Sequence, residues 1–185
     1  MVRMLSRVTT PPTDHADHVW PGEFTYCPHC AHALETVTVE GEPRRRCPGC
    51  GYVHFRNPGV GAAVVVRDEA ARVLLVKRGE GASRPGRWSV PAGFVDYGEE
   101  VRAAAARELL EETGLVAEIG DVIHVASNFH DPEKLTIGIW FACRVVGGEL
   151  AAGDDATDAR FFPLDDLPPL AFETDAELFH ILAQR

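Results

Sequence analysis

The stretch Gly93 to Leu115, GFVDYGEEVRAAAARELLEETGL, constrains this chain more than any other. It opens on glycine, runs through Glu99-Glu100 and the alanines Ala103 to Ala106, and closes on Gly114-Leu115. Alanine, leucine, glutamate and arginine are strong helix formers and glycine is a favoured stop, so the composition predicts a helix from about Glu99 to Thr113. Within it Glu108, Glu111 and Glu112 fall at i, i+3 and i+4 and share one patch of helix surface. Like charges at that spacing destabilise a helix by roughly 0.2–0.5 kcal/mol per pair. Glu111 and Glu112 also fall in the last turn, where the helix dipole disfavours anions. Helix physics leaves two readings open: a solvated acidic face, or a patch whose repulsion a hard divalent cation reverses.

The same residues fill every defined position of the Nudix box. Gly93 is followed after five residues by Glu99, and after seven more by Arg107-Glu108-Leu109, Glu111-Glu112 and Gly114-Leu115. The chain therefore resembles the Nudix hydrolases, over about residues 58–183. The resemblance implies an α/β fold, an α/β/α sandwich around a mixed sheet. It implies an enzyme that uses Mg²⁺ (or Mn²⁺) to cleave a nucleoside diphosphate linked to another moiety. By the same resemblance Glu108, Glu111 and Glu112 bind the metal, the Ala92 carbonyl is a further ligand, Arg107 orients Glu108, and Glu99 supports the loop or a further metal. Many relatives carry glycine at the place of Ala92; alanine keeps the carbonyl and loses only conformational freedom.

Ahead of the box stands a second pattern, Cys27-Pro28-His29-Cys30, sixteen residues, then Cys47-Pro48-Gly49-Cys50. A C-x2-C-x16-C-x2-C spacing reads as a zinc site, and four thiolates suit a closed structural Zn²⁺ centre with no open position for chemistry. Thr36 to Val39 alternates and Gly41-Glu42-Pro43 can turn it back, so a small hairpin ribbon is expected between the cysteine pairs. His29, His32 and His54 read as surface residues beside it. The fifth cysteine, Cys143, lies in a strand pattern and reads as a small buried apolar residue.

Elsewhere Val60 to Arg67 and Val73 to Arg78 read as buried strands, and Val122 to Asn128 and the alternating Leu135 to Val145 as further strands. Thr174 can cap a last helix running to about Gln184. The expected organisation is an arm over 1–22, a zinc ribbon over 23–57 and the Nudix hydrolase domain over 58–185.

Charge narrows the partners. With 18 basic against 28 acidic residues the net charge is −10, which argues against non-specific nucleic-acid or membrane-surface binding. Arg44-Arg45-Arg46 is the one basic cluster that favours a nucleic-acid reading. No apolar run approaches the roughly 18 residues of a membrane span, and the first residues lack a signal-peptide core, so a cytoplasmic protein is expected. A nucleoside diphosphate small molecule is the expected partner, with a homodimer as the form of self-association considered, and with neither nucleic acid nor membrane.

In Nudix hydrolases the general base often comes from a loop ahead of the last strand. Here that loop is Gly153 to Phe161, which offers Asp155 first and Asp158 next, with Glu133 or Glu149 as glutamates elsewhere. Arg78, Arg84 and Arg87, just before the box, are candidates for substrate phosphates; Arg78 and Arg87 are the ones carried forward. The ribbon-plus-Nudix order resembles bacterial ADP-ribose and dinucleotide pyrophosphatases. NADH-cleaving relatives carry an SQPWPFPxS-like stretch after the box, where this chain reads Ala126 to Pro132, ASNFHDP. Pro132 lies about where ADP-ribose-cleaving relatives place a proline. The expectation is ADP-ribose cleaved to AMP and ribose 5-phosphate. The alternatives are a pyrophosphatase for NAD(H) or another dinucleotide, and a non-catalytic ligand-binding protein on the same fold.

Overall fold

The computed structural model describes residues 24–131 and 134–184; the N-terminal arm expected over 1–22, Pro132 and Glu133 lie outside them. The chain divides into two compact units, Met1–Asn57 and Pro58–Arg185.

The described part of the first unit is a three-stranded antiparallel sheet, β1 (Glu35–Val39), β2 (Glu42–Arg46) and β3 (Val53–His54). Val39 pairs with Glu42, which leaves Glu40-Gly41 as a two-residue turn. Both turn residues have positive φ, 54° and 85°, as the favoured hairpin turn requires. The two cysteine pairs form matching loops. Cys27 N–H donates to the His32 carbonyl and Cys47 N–H to the Tyr52 carbonyl, each at 2.8 Å. A left-handed residue ends each loop, Ala31 at φ 58° and Gly51 at φ 78°. Cys27 and Cys47 are buried with Leu34, so the cysteines themselves form much of this small core.

The second unit holds a mixed four-stranded sheet in the order β7 (Ala92–Phe94), β4 (Gly59–Val65), β9 (Thr136–Gly148), β8 (Leu115–Asn128). A second sheet runs β10 (Ala156–Phe162), β5 (Val73–Arg78), β6 (Trp88–Ser89). β4 and β9 are parallel and the other pairs antiparallel. Strand alternation separates two cores. Ala62, Val64, Val66 and Leu74 pack with Ala104, Ala105 and Leu109 of α1 (Val101–Thr113). Ala63, Val65, Val73 and Leu75 pack with Leu178, Phe179 and Leu182 of α2 (Glu173–Ala183). Each central strand is covered on both faces, which is why its sequence is continuously apolar. The result is the expected α/β/α arrangement around mixed strands.

The helix of the box starts two residues later than its sequence suggests. Glu100 is the cap, its carboxylate accepting from Arg102 N–H at 2.8 Å and Ala103 N–H at 3.0 Å. Gly114, at φ 70°, stops it and returns an N–H to the Leu110 carbonyl at 2.8 Å. β8 follows at once from Leu115 and not from Val122; a register shift between Ile119 and Val122 breaks the alternation there and hides the first half of the strand. At α2 the cap position belongs to Phe172, with no side-chain cap bond, and not to Thr174. Glu173 and Asp175 in the first turn complement the helix dipole instead. Cys143 is only partly buried, and burial pushes its thiol up to about 11.

Candidate active site

α1 presents its glutamates to the segment that precedes it in sequence. Glu108 is 9% exposed and Glu112 3%, while Glu111 is exposed at the rim. Arg107 binds the cluster together. Its Nε and Nη2 each donate to a Glu99 oxygen at 2.9 Å, a bidentate pair. Nη1 donates to Glu108 Oε1 at 2.7 Å and Glu111 Oε2 at 3.1 Å, and Nη2 reaches the Phe94 carbonyl at 3.1 Å. Glu99 also accepts from Asp96 N–H at 3.1 Å. The Arg107 guanidinium, with that N–H, holds the Glu99 carboxyl down at about 2. Glu99 thus supports the loop ahead of the helix through the arginine.

Glu112 faces the other way. Its Oε2 accepts from Ala92 N–H at 2.9 Å. Burial raises its pKa to about 8 against that bond, and the nearby Asp155 and Glu108 charges push the same way. Burial also raises Glu108. Gly93 admits the Glu108 side chain: a Cβ on Gly93 would occupy the space of the Glu108 carboxyl group. Two buried carboxylates and a third at the rim offer hard oxygen donors of the kind that fits Mg²⁺, which takes few carboxylates and keeps waters. The glutamate oxygens are not gathered as closely as the sulfurs of the cysteines described below: Arg107 holds Glu108 and Glu111, and the Ala92 N–H holds Glu112.

A cavity of about 550 Å³ opens beside Ala92 and Gly93. Three cations border it, Arg78, Arg84 and Lys134, alongside the carboxyl groups of Asp131 and Asp175. Arg78 and Arg84 lie over the Phe172 ring at 5.2 and 5.7 Å, and Lys134 lies over Phe94 at 4.4 Å. Arg78 is braced by the Ser83 carbonyl at 2.6 Å. Arg87 donates to the Leu170 carbonyl at 3.2 Å, and Arg84 is the second arginine bordering the cavity. Deep in the wall sits Asp175, 1% exposed, accepting from Trp140 Nε1 at 3.1 Å and Val90 N–H at 3.4 Å. Burial raises it to about 7.

The loop ahead of β10 brings Asp154 and Asp155 toward the glutamates: Asp155 raises Glu112 and Asp154 raises Glu108 through space. Asp158 pairs with Arg160 at 2.5 Å. Asp154, Asp175 and Phe172 escaped the sequence reading because nothing local marks them; only the φ of 50° at Asp154 hints at a special place in the turn.

A family model for the NUDIX domain matches residues 57–183, well over half the chain. The chain belongs to the Nudix hydrolase family. The chain is 40% identical over 123 residues to an ADP-ribose pyrophosphatase of Methanocaldococcus jannaschii, covering 66% of this chain and 72% of that protein. An NAD-capped RNA hydrolase NudC of Stutzerimonas stutzeri is 31% identical over 153 residues, 82% of this chain but 52% of its own length. The chain thus spans about half of that relative. Among solved structures, a NUDIX hydrolase from Nitrosomonas europaea superposes with a TM-score of 0.73 at 28% identity, covering 84% of this chain and 88% of the other.

Outside the Nudix domain, Cys27, Cys30, Cys47 and Cys50 bring four sulfurs within 4.8 Å of one another, the tightest such group among the described residues. Cys27 and Cys50 sulfurs lie 3.6 Å apart, and Cys30 and Cys47 sulfurs 3.4 Å. A disulfide needs about 2.05 Å. Four sulfurs at about 2.3 Å from one Zn²⁺ stand roughly 3.8 Å apart, so the set fits that ion. Backbone N–H groups of His29 and Cys50 point at Cys27 and Cys47 sulfurs, both at 3.4 Å, as suits thiolates.

Proposed function

We propose that this Nudix hydrolase cleaves ADP-ribose to AMP and ribose 5-phosphate with Mg²⁺ or Mn²⁺. The observation that carries the reading is the pairing of a buried carboxylate cluster with a cavity bordered by Arg78, Arg84 and Lys134 on a chain of net charge −10. An acidic protein must draw a diphosphate to a particular place, and Arg78, Arg84 and Lys134 do so at the cavity rim. The 40% identity to an ADP-ribose pyrophosphatase supports the choice of substrate.

Glu108, Glu111, Glu112 and the Ala92 carbonyl would hold the metal. Bound there, Mg²⁺ supplies neutralisation of the diphosphate oxygens and acidifies water. Arg107 fixes Glu108 and Glu111, and the Ala92 N–H fixes Glu112. Asp155 takes the proton of the attacking water. The water oxygen bonds to one phosphorus, the bridging P–O bond breaks, and the departing phosphate carries the electron pair away. Arg78 and Arg84 hold the substrate's anionic groups against movement. Cys27, Cys30, Cys47 and Cys50 of the ribbon over 23–57 would hold a structural Zn²⁺ that would cross-link the two loops and supply no step of the chemistry.

A second reading has its own support. The match to the NAD-capped RNA hydrolase runs over 153 residues, more than the domain model alone covers, so it extends beyond the Nudix domain. Cleavage of NAD or of NAD-capped RNA is therefore the alternative. Rates with ADP-ribose, NAD, NADH and NAD-capped RNA, with products identified, separate the two. Faster turnover of ADP-ribose supports the first; faster turnover of a capped RNA replaces it and brings nucleic acid in as partner.

A further inference from the structure

We propose that Asn128 reads the exocyclic amine of the substrate's nucleobase, which rests on the reading above that the substrate is an adenine nucleotide. The cavity lies across the four-stranded sheet. Gly93 on β7, Gly61 on β4, Thr136 on β9 and Asn128 on β8 all border it. Three inter-strand steps of about 4.8 Å separate β7, beside the glutamates, from β8, roughly 14 Å in all. That distance matches an extended nucleotide with its diphosphate over β7 and its base over β8.

The floor between is flat because two residues lack side chains. Gly61 adds no side chain there; a Cβ would make only ordinary contacts, 3.6 Å from the Gly93 carbonyl and 3.9 Å from the Ile137 carbonyl. At Gly138 a Cβ would meet the Trp140 indole at 2.5 Å; glycine there lets the ring lie down against the strand. A planar base fits over such a surface.

At the far end Asn128 Nδ2 donates to Thr136 Oγ1 at 2.9 Å, and Asn128 Oδ1 is buried with no partner. A buried amide oxygen left without a donor is costly, and a ligand N–H would satisfy it. One of the two amide hydrogens is committed to Thr136 Oγ1, and the buried atom without a partner is the oxygen, an acceptor. It favours the amine at position 6 of adenine and opposes the carbonyl oxygen of hypoxanthine, which would set one acceptor against another. Ser89 Oγ is also buried, unpartnered and at the cavity wall, but a hydroxyl both donates and accepts and does not choose between the two bases.

Calorimetric binding of AMP and IMP to the full chain tests this without turnover. AMP is expected to bind about tenfold or more tightly, since a site built around one polar contact rejects the analogue lacking it. Asn128→Leu removes the difference; Asn128→Asp, which keeps an acceptor, retains it. Equal binding of both nucleotides by the unaltered protein, tighter IMP, no binding of either, or a preference that survives Asn128→Leu in a folded protein overturns the proposal. Failure of the hydrolysis reading is a different result: ADP-ribose is not turned over although AMP still outbinds IMP.

Discussion

The Glu108 carboxyl group occupies the space where Gly93 would carry a β-carbon. The first glycine of the box is thus required by a side chain fifteen positions further on and not by its own backbone angle. Gly93→Ala forces Glu108 aside or moves β7. A displacement of about 1 Å at such a site costs on the order of 10²-fold in rate. Turnover should fall by that much or more, while the thermal midpoint changes far less; unimpaired turnover would falsify the cradle.

Glu112→Gln keeps the shape and an oxygen for the Ala92 N–H while removing the charge. If the cluster holds the catalytic metal, turnover drops by several orders of magnitude at saturating Mg²⁺. Stability at pH 7 should not fall, because the wild-type carboxyl is held in a site that disfavours its ionised form. A near-normal rate is incompatible with the metal assignment.

Much of this was legible in the sequence, and the limit is physical. Glu108, Glu111 and Glu112 lie along one helix, so their spacing predicts one patch of its surface; that Arg107 holds two of them and the Ala92 N–H the third is not written in the spacing. The four cysteines were legible for a similar reason: each pair is a tight local loop, and the hairpin between them turns at Glu40-Gly41. Asp175 and Asn128 were not. Asp175 looks like a helix-end carboxylate until α2 folds onto Trp140 and Val90, which are far away in sequence. Asn128 looks like the polar last residue of a strand until β8 and β9 pair and bring Thr136 beside it. Long-range contacts, not local propensity, set both.

Asp175 makes stability depend on pH. Its folded pKa, raised by burial to about 7, exceeds the ordinary carboxyl value. Between about pH 4 and pH 7 the unfolded chain has released this proton and the native state retains it, so this group makes stability fall as pH rises through that window and level off above it. Asp175→Asn abolishes that component. Its thermal midpoint should exceed the wild type's at pH 8 and approach it at pH 4. A variant less stable than wild type at pH 8 would show that the carboxylate is needed in ionised form.

The cysteine cluster predicts about one zinc per chain by elemental analysis, with loss of the ribbon's β signal on chelation. Freshly isolated protein with two disulfides and no metal contradicts it.

Asp155→Asn should lower the rate roughly 10²–10⁴-fold if this residue is the base, the usual contribution of general acid–base catalysis. Asp154→Asn and Asp158→Asn are the comparisons. A large loss in one of these with little change in Asp155→Asn moves the role to that residue.

In the proposed reaction water attacks phosphorus in ADP-ribose. Hydrolysis in ¹⁸O-labelled water with Mg²⁺, followed by mass spectrometry of both products, tests it most directly. The expected products are AMP and ribose 5-phosphate, with one label on the phosphate of one of them. Label on the ribose anomeric carbon, ADP and free ribose as products, or no turnover of ADP-ribose contradicts it.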